Sequence, residues 1–174
     1  MRTQASNRNR PQPERRRRDK TVIGWREWLS IPTLGIESIK AKVDTGARTS
    51  SIHAFDLKTF TDRGAPHASF VIQPLQRRRN PRVECIAEIF DERVIKSSTG
   101  HEQRRYVIRV DVGLAGQTWP IELTLANRDE MGFRLLLGRQ AIRGRFLIDT
   151  ARSFIADRKI VMTRPPRKPK RKQP

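Results

Sequence analysis

The chain has 174 residues, enough for one domain, and carries 37 Lys and Arg against 18 Asp and Glu, a formal charge of +19. That surplus favours polyanionic partners over cationic ones, and the single cysteine, Cys85, excludes an intrachain disulfide and any multi-cysteine metal site. No apolar run is long enough to span a bilayer or to form a signal-peptide core, so the expectation is a soluble cytoplasmic protein.

Residues 1–20 hold eight Lys or Arg against Glu14 and Asp19, with only Met1 and Ala5 as apolar residues. Such a segment cannot bury enough surface to offset its ordering entropy and is predicted to be a disordered basic tail. Residues 164–174, with six basic residues, no acid and four prolines, form a second tail of the same kind. The tails hold +12 of the charge, leaving about +7 on the domain at 21–163.

From residue 22 apolar residues recur at period two, with no helical periodicity sustained over ten residues, so the domain reads as all-β. Strands are predicted at 22–25 and 36–43; the second runs into Asp44-Thr45-Gly46-Ala47, a carboxylate on a glycine turn. A strand at 52–57 follows, with His53 opposite Ile52 and Ala54 and therefore expected on the exposed face. After a strand at 69–73, the segment 76–82, with Arg77-Arg78-Arg79, reads as a solvated loop. Val83, Cys85, Ala87 and Ile89 alternate on one strand face, which makes Cys85 a core thiol rather than a reactive one. Tyr106, Ile108, Val110 and Val112 form the next face, Gly113-Leu114-Ala115-Gly116 a turn, and Trp119, Ile121, Leu123 and Leu125 its hairpin partner. Leu135-Leu136-Leu137 then runs into Gly138 and a short helix from about Arg139 to Gly144, with strands at 146–148 and 154–156. Many short strands separated by turns indicate a sandwich or small barrel.

The Asp44 segment is where the chain looks most like chemistry. A tetrapeptide of this type arises by chance in roughly one chain of this length in a hundred, so alone it marks only a turn. Peptide hydrolysis by carboxylates needs two of them sharing a proton, one acting on water as base and the other as acid. No internal repeat supplies a second copy, so a two-fold axis must place Asp44 opposite itself in a homodimer. There Thr45 would hydrogen-bond across to the other loop, and Gly46 would let its amide reach the carboxylate. A zinc mechanism competes through His101-Glu102-Gln103-Arg104-Arg105, but Arg105 stands where the second ligand of H-E-x-x-H belongs, and the residues that follow alternate as a strand. His53, His67 and Cys85 have no recognised ligand spacing, and no phosphate-binding G-x-x-x-x-G-K-[ST] segment exists. No metal or other cofactor is therefore assigned.

Several segments in order carry a resemblance to a known family: Ile23-Gly24-Trp25-Arg26-Glu27, the run from Lys40 through Asp44 to Ala54, Lys96-Ser97-Ser98-Thr99-Gly100-His101, Ile121-Glu122-Leu123-Thr124-Leu125, and Leu136-Leu137-Gly138-Arg139 with Gly144-Arg145-Phe146-Leu147-Ile148-Asp149. In these the chain resembles a bacterial family described as ATP-dependent zinc proteases, also described as retropepsin-like aspartic endopeptidases and associated with ribosomal-protein glutamate-ligase operons. The resemblance implies a closed retropepsin-like barrel, with Asp44 as catalytic acid and Thr45, Gly46, Ala47, Leu137 and Gly138 supporting its loop. It further implies that the turn at 97–101 occupies the place of a flap. Arg48, Arg93, Lys96, Ser97, His101 and Arg105 are then candidate substrate contacts, and their charge predicts acidic or glutamate-rich peptides. Two readings compete: a non-catalytic ribosome- or RNA-associated adaptor anchored by its basic tails, and a zinc-dependent peptidase as one of the family's names has it.

Overall fold

The computed structural model describes residues 20–76, 80–96, 102–126 and 132–156; the two predicted basic tails, Ser97 and His101 lie outside these residues. Twelve strands account for most of it: β1 Thr21–Gly24, β2 Arg26–Ile31, β3 Ile36–Asp44, β4 Ser50–His53, β5 Phe55–Asp62, β6 Ala65–Ile72, β7 Val83–Glu88, β8 Asp91–Lys96, β9 Glu102–Leu114, β10 Gln117–Ala126, β11 Leu135–Gly138 and β12 Phe146–Asp149. The one α-helix among the described residues, α1, is the single turn Arg139–Ile142, and Gly144 at φ +78° lies in the turn that follows it; Pro32–Leu34 form a short 3-10 turn. The all-β expectation holds, as does the position of the short helix.

Pairings run in the order β10-β4-β11-β3-β2-β9, and β9 pairs again with β10, so six strands form a circuit around one apolar interior, with β8 added at its edge. The seam is narrow: β2 meets β9 at Ser30 and Gly113. A Cβ at Gly113 would run into the Ser30 hydroxyl, so glycine is what lets the two strands approach there. Gly113 therefore belongs to β9 and not to the expected turn, which is only Ala115-Gly116, with φ of +53° and +71°. Those two left-handed residues join adjacent antiparallel strands as a type I′ hairpin does. Leu29, Ile39, Ile52, Ile108, Leu123 and Leu135, one from each strand of the circuit, are fully buried and fill the interior. The other sheets are β5-β6-β7 and the parallel pair β1-β12.

Three expectations change. The strand predicted at 52–57 is two strands, because β4 lies between β10 and β11 with all four residues buried while β5 emerges into solvent. His53 is accordingly buried, with 1% of its surface exposed and its ring edge-on to Phe55 at 4.1 Å; a strand covered on both faces has no exposed side. The strand predicted at 154–156 is irregular. Its backbone donors are taken by the buried Glu27 carboxylate, which accepts from the amides of Ile155 (3.0 Å) and Ala156 (3.3 Å) as well as Gly24 (2.6 Å), and by the Arg26 carbonyl, which accepts from Phe154. Among the described residues no helix is long and apolar enough to cross a membrane.

Candidate active site

Asp44 is the last residue of β3, and its strand neighbour is Gly138 at the end of β11, in parallel register with Leu137 beside Val43. The chain turns sharply after Asp44: the amides of Gly46 and Ala47 both donate to Asp44 Oδ1, at 3.1 and 3.2 Å. A Cβ on residue 46 would sit 3.3 Å from that same oxygen, tighter than an ordinary contact, so glycine suits the turn. Two backbone donors on one oxygen fix the orientation of the carboxylate. Asp44 Oδ2 has no protein donor among the described residues.

The loop is braced from behind by β11 and α1. Arg139 and Gln140 donate their amides to the carbonyls of Ala47 and Arg48 at 2.9 and 3.1 Å, and the Gly138 amide donates to Ser50 Oγ at 3.1 Å. The Arg139 guanidinium reaches over the loop to the carbonyls of Thr45 (3.2 Å) and Gly46 (3.1 Å). Gly138 has no room for a side chain, since a Cβ would stand 2.6 Å from the Thr49 carbonyl carbon. Leu137 and Gly138 thus lie directly behind the Asp44 loop. Ser50 and Arg139 are additions; Arg139 follows the Leu-Leu-Gly run directly, and its position there is the signal that was available.

A cleft of about 1260 Å³ opens on Asp44, and Arg48, Arg93 and Arg105 all line it, together with Glu122 and Ser51. Its volume exceeds the few hundred to about 1,000 Å³ typical of small-molecule pockets and suits a stretch of peptide. Arg93 on β8 is cross-strand partner to Arg105 on β9, two like charges side by side. Arg93 is neutralised by Asp91 and Glu122, each 2.6 Å away, and the hydrogen bond it donates to Glu122, then the one it donates to Asp91, pushes its pKa above the ordinary arginine value. Arg105 is buried and donates to Gln103 Oε1 at 3.1 Å. Arg48 makes no ion pair with a described carboxylate. Arg104, between Gln103 and Arg105, is largely exposed and lies 3.8 Å from Glu92. The side chain of Lys96 lies outside the described residues, with Ser97 and His101. Ser51 was not anticipated; its hydroxyl is buried at the cleft wall without a hydrogen-bond partner.

A zinc ion, as one of the family's names implies, does not fit the described residues. His67 is committed to the Ala65 carbonyl at 3.0 Å and stacks on Phe60, His53 is packed against Phe55, and burial pushes the Cys85 thiol up to about 11, away from the thiolate that zinc requires. No three His, Cys, Asp or Glu side chains among the described residues are grouped as ligands. The run from Glu102 is a strand, so the i, i+4 spacing of a helical zinc motif is not formed there.

Residues 22–159 match the family described as RimB-like, retropepsin-like aspartic endopeptidase RimB. Among curated proteins, a "Probable alpha-L-glutamate ligase" of Shewanella pealeana is 47% identical over 136 residues, which is 78% of this chain and 30% of that protein. One of the same name from Desulfotalea psychrophila is 50% identical over 132 residues, 76% of this chain and 28% of the relative. The chain thus spans less than a third of the length of these relatives. A solved structure of a Legionella pneumophila protein of unknown function has the same fold, with a TM-score of 0.65 at 23% identity over 79% of this chain and 98% of that one.

Proposed function

Because the chain belongs to the RimB-like family of retropepsin-like aspartic endopeptidases, we propose that it hydrolyses peptide bonds with a water activated between two Asp44 carboxylates of a homodimer. The observation that supports this most is the Asp44 loop itself, a carboxylate oriented by two amides at the head of a peptide-sized cleft. Each chain has one such loop, and a two-fold axis supplies the other. One carboxylate, ionised, takes a proton from water as the water oxygen bonds to the scissile carbonyl carbon. The other, protonated, gives its proton to the carbonyl oxygen, producing a neutral gem-diol. Collapse of the diol breaks the C–N bond, its proton returns to a carboxylate, and the leaving nitrogen receives a proton from the pair. Thr45, on the exposed rim of the loop, joins the two loops in this arrangement.

Arg48 and Arg105 line the cleft beside an Arg93 already held by Asp91 and Glu122, and their charge makes an acidic peptide the favoured substrate class. The relatives lend support, since proteins containing a segment like this chain are named for ligating glutamate. A peptidase working alongside such a ligase would meet glutamate-rich chains. The test uses glutamate-rich and neutral peptides of equal length with the parent and a folded Asp44→Asn variant. The parent should cleave the acidic peptide faster, with the advantage shrinking as salt rises, and Asp44→Asn should lose at least about a thousandfold in kcat, in line with loss of an essential acid–base group. Retained cleavage by Asp44→Asn would reject the mechanism, and equal cleavage of both peptides at all salt concentrations would reject the substrate class alone.

A further inference from the structure

β2 and β3 pair antiparallel, with Trp28 opposite Lys40 and Arg26 opposite Lys42. Along β2 the inward positions are Glu27, Leu29 and Ile31, so Arg26 and Trp28 share the outer face with Lys40 and Lys42. Phe154 completes this face: its amide donates to the Arg26 carbonyl at 2.8 Å, and Arg26 Nε donates to the neighbouring Ser153 hydroxyl at 3.1 Å. Cations and rings alternate across it. The Arg26 guanidinium lies 4.1 Å from the Trp25 ring centre and 5.5 Å from that of Phe154, and Lys40 Nζ lies 5.1 Å from Trp28 and 5.2 Å from Phe154.

None of Arg26, Lys40 and Lys42 forms an ion pair with a carboxylate among the described residues. Directly opposed like charges destabilise a sheet, yet Arg26 faces Lys42. Burial, and then repulsion from Arg26, hold the Lys40 pKa below the ordinary lysine value, so the repulsion is not relieved from within the fold. An anion laid along the face would relieve it. Outside the described residues, positions 157–174 carry eight Lys or Arg against Asp157 alone.

We infer that this β2–β3 face binds single-stranded nucleic acid, with Arg26, Lys40 and Lys42 on its phosphates and Trp28 and Phe154 against its bases. Evenly spaced negative charge matches the row of cations, and exposed bases match rings set between them; an acidic peptide would use the cations and leave the rings idle. None of these five residues lines the Asp44 cleft, and the function of this face does not depend on the peptidase reading.

The experiment measures binding of a fluorescein-labelled single-stranded 15-nucleotide RNA to the full chain by anisotropy across a salt series. Three proteins are compared: the parent, the double variant Lys40→Gln with Lys42→Gln, and Lys58→Gln on β5 as a control for loss of one lysine elsewhere. Losing two phosphate contacts should weaken binding about tenfold and flatten the salt dependence, while Lys58→Gln binds as the parent does. RNA should also quench tryptophan fluorescence in the parent, and Trp28→Phe should remove most of that quenching; circular dichroism confirms that each variant is folded. Parent-like binding by the double variant would overturn the inference, leaving the basic residues outside the described structure as the whole binding site. Equal competition by polyglutamate of matched charge would overturn it in favour of an acidic peptide.

Discussion

The Cys85 thiol lies inside the β7 face, near the carbonyls of Leu34 and Val83 at 3.8 and 3.6 Å, and burial raises its pKa from 9.0 to about 11. Because the folded value lies above that of an exposed thiol, the neutral thiol's contribution to stability is complete below about pH 9 and is lost as pH rises through 11. A thiol reagent at pH 8 should therefore leave Cys85 unmodified in the folded protein and label it fully in urea; rapid labelling of the folded chain would contradict its placement in the core. This residue was legible because its neighbours alternate cleanly. His53 was not, since alternation says which side of a strand a residue takes but not whether the other side is covered too. Nor was Glu27, a charge at an inward position, whose role appears only when the amides of Gly24, Ile155 and Ala156 are brought to it from opposite ends of the chain.

At the scale of elements, β11 and α1 hold the Asp44 loop, and Gly138 is the pivot. Replacing it with alanine puts a Cβ 2.6 Å from the Thr49 carbonyl carbon and 2.8 Å from the Ser50 nitrogen, both backbone atoms that cannot swing aside. Gly138→Ala should lower stability by about 1–3 kcal/mol in urea unfolding, as overpacked cores do, and should lower kcat beyond what the remaining folded fraction explains. A variant with parent-like stability and turnover would show that the loop does not depend on this contact. The Leu136-Leu137-Gly138 run was legible as a strand ending in glycine before a short helix, and its place behind the loop came from the family resemblance. β2 and β8 were not legible. Glu27 interrupts the apolar alternation of the first, and in the second Arg93 is half-buried while Val94 is the more exposed, the reverse of the polarity that strand patterns assume.

At the scale of the molecule, the circuit of strands brings distant segments to one cleft: Asp44 from β3, Arg93 from β8, Arg105 from β9 and Glu122 from β10. Sequence could nominate the three basic cleft residues, since charge near an expected flap is visible in one dimension. It could not show that Glu122 and Asp91 neutralise Arg93, because those partners meet it only after the strands pair. It gave no hint of the β2–β3 face either, where the charge lies within a predicted core segment and not in the tails. The central claim is that one Asp44 is half of a catalytic pair. The direct test holds the parent at a fixed low concentration and adds folded Asp44→Asn in increasing excess while cleavage of a glutamate-rich peptide is followed. Mixed dimers contain a single catalytic carboxylate, so activity should fall toward zero as the excess grows, and the parent's specific activity should rise with its own concentration. Undiminished cleavage in a large excess of the variant, with specific activity independent of concentration, would mean that each chain carries a complete site.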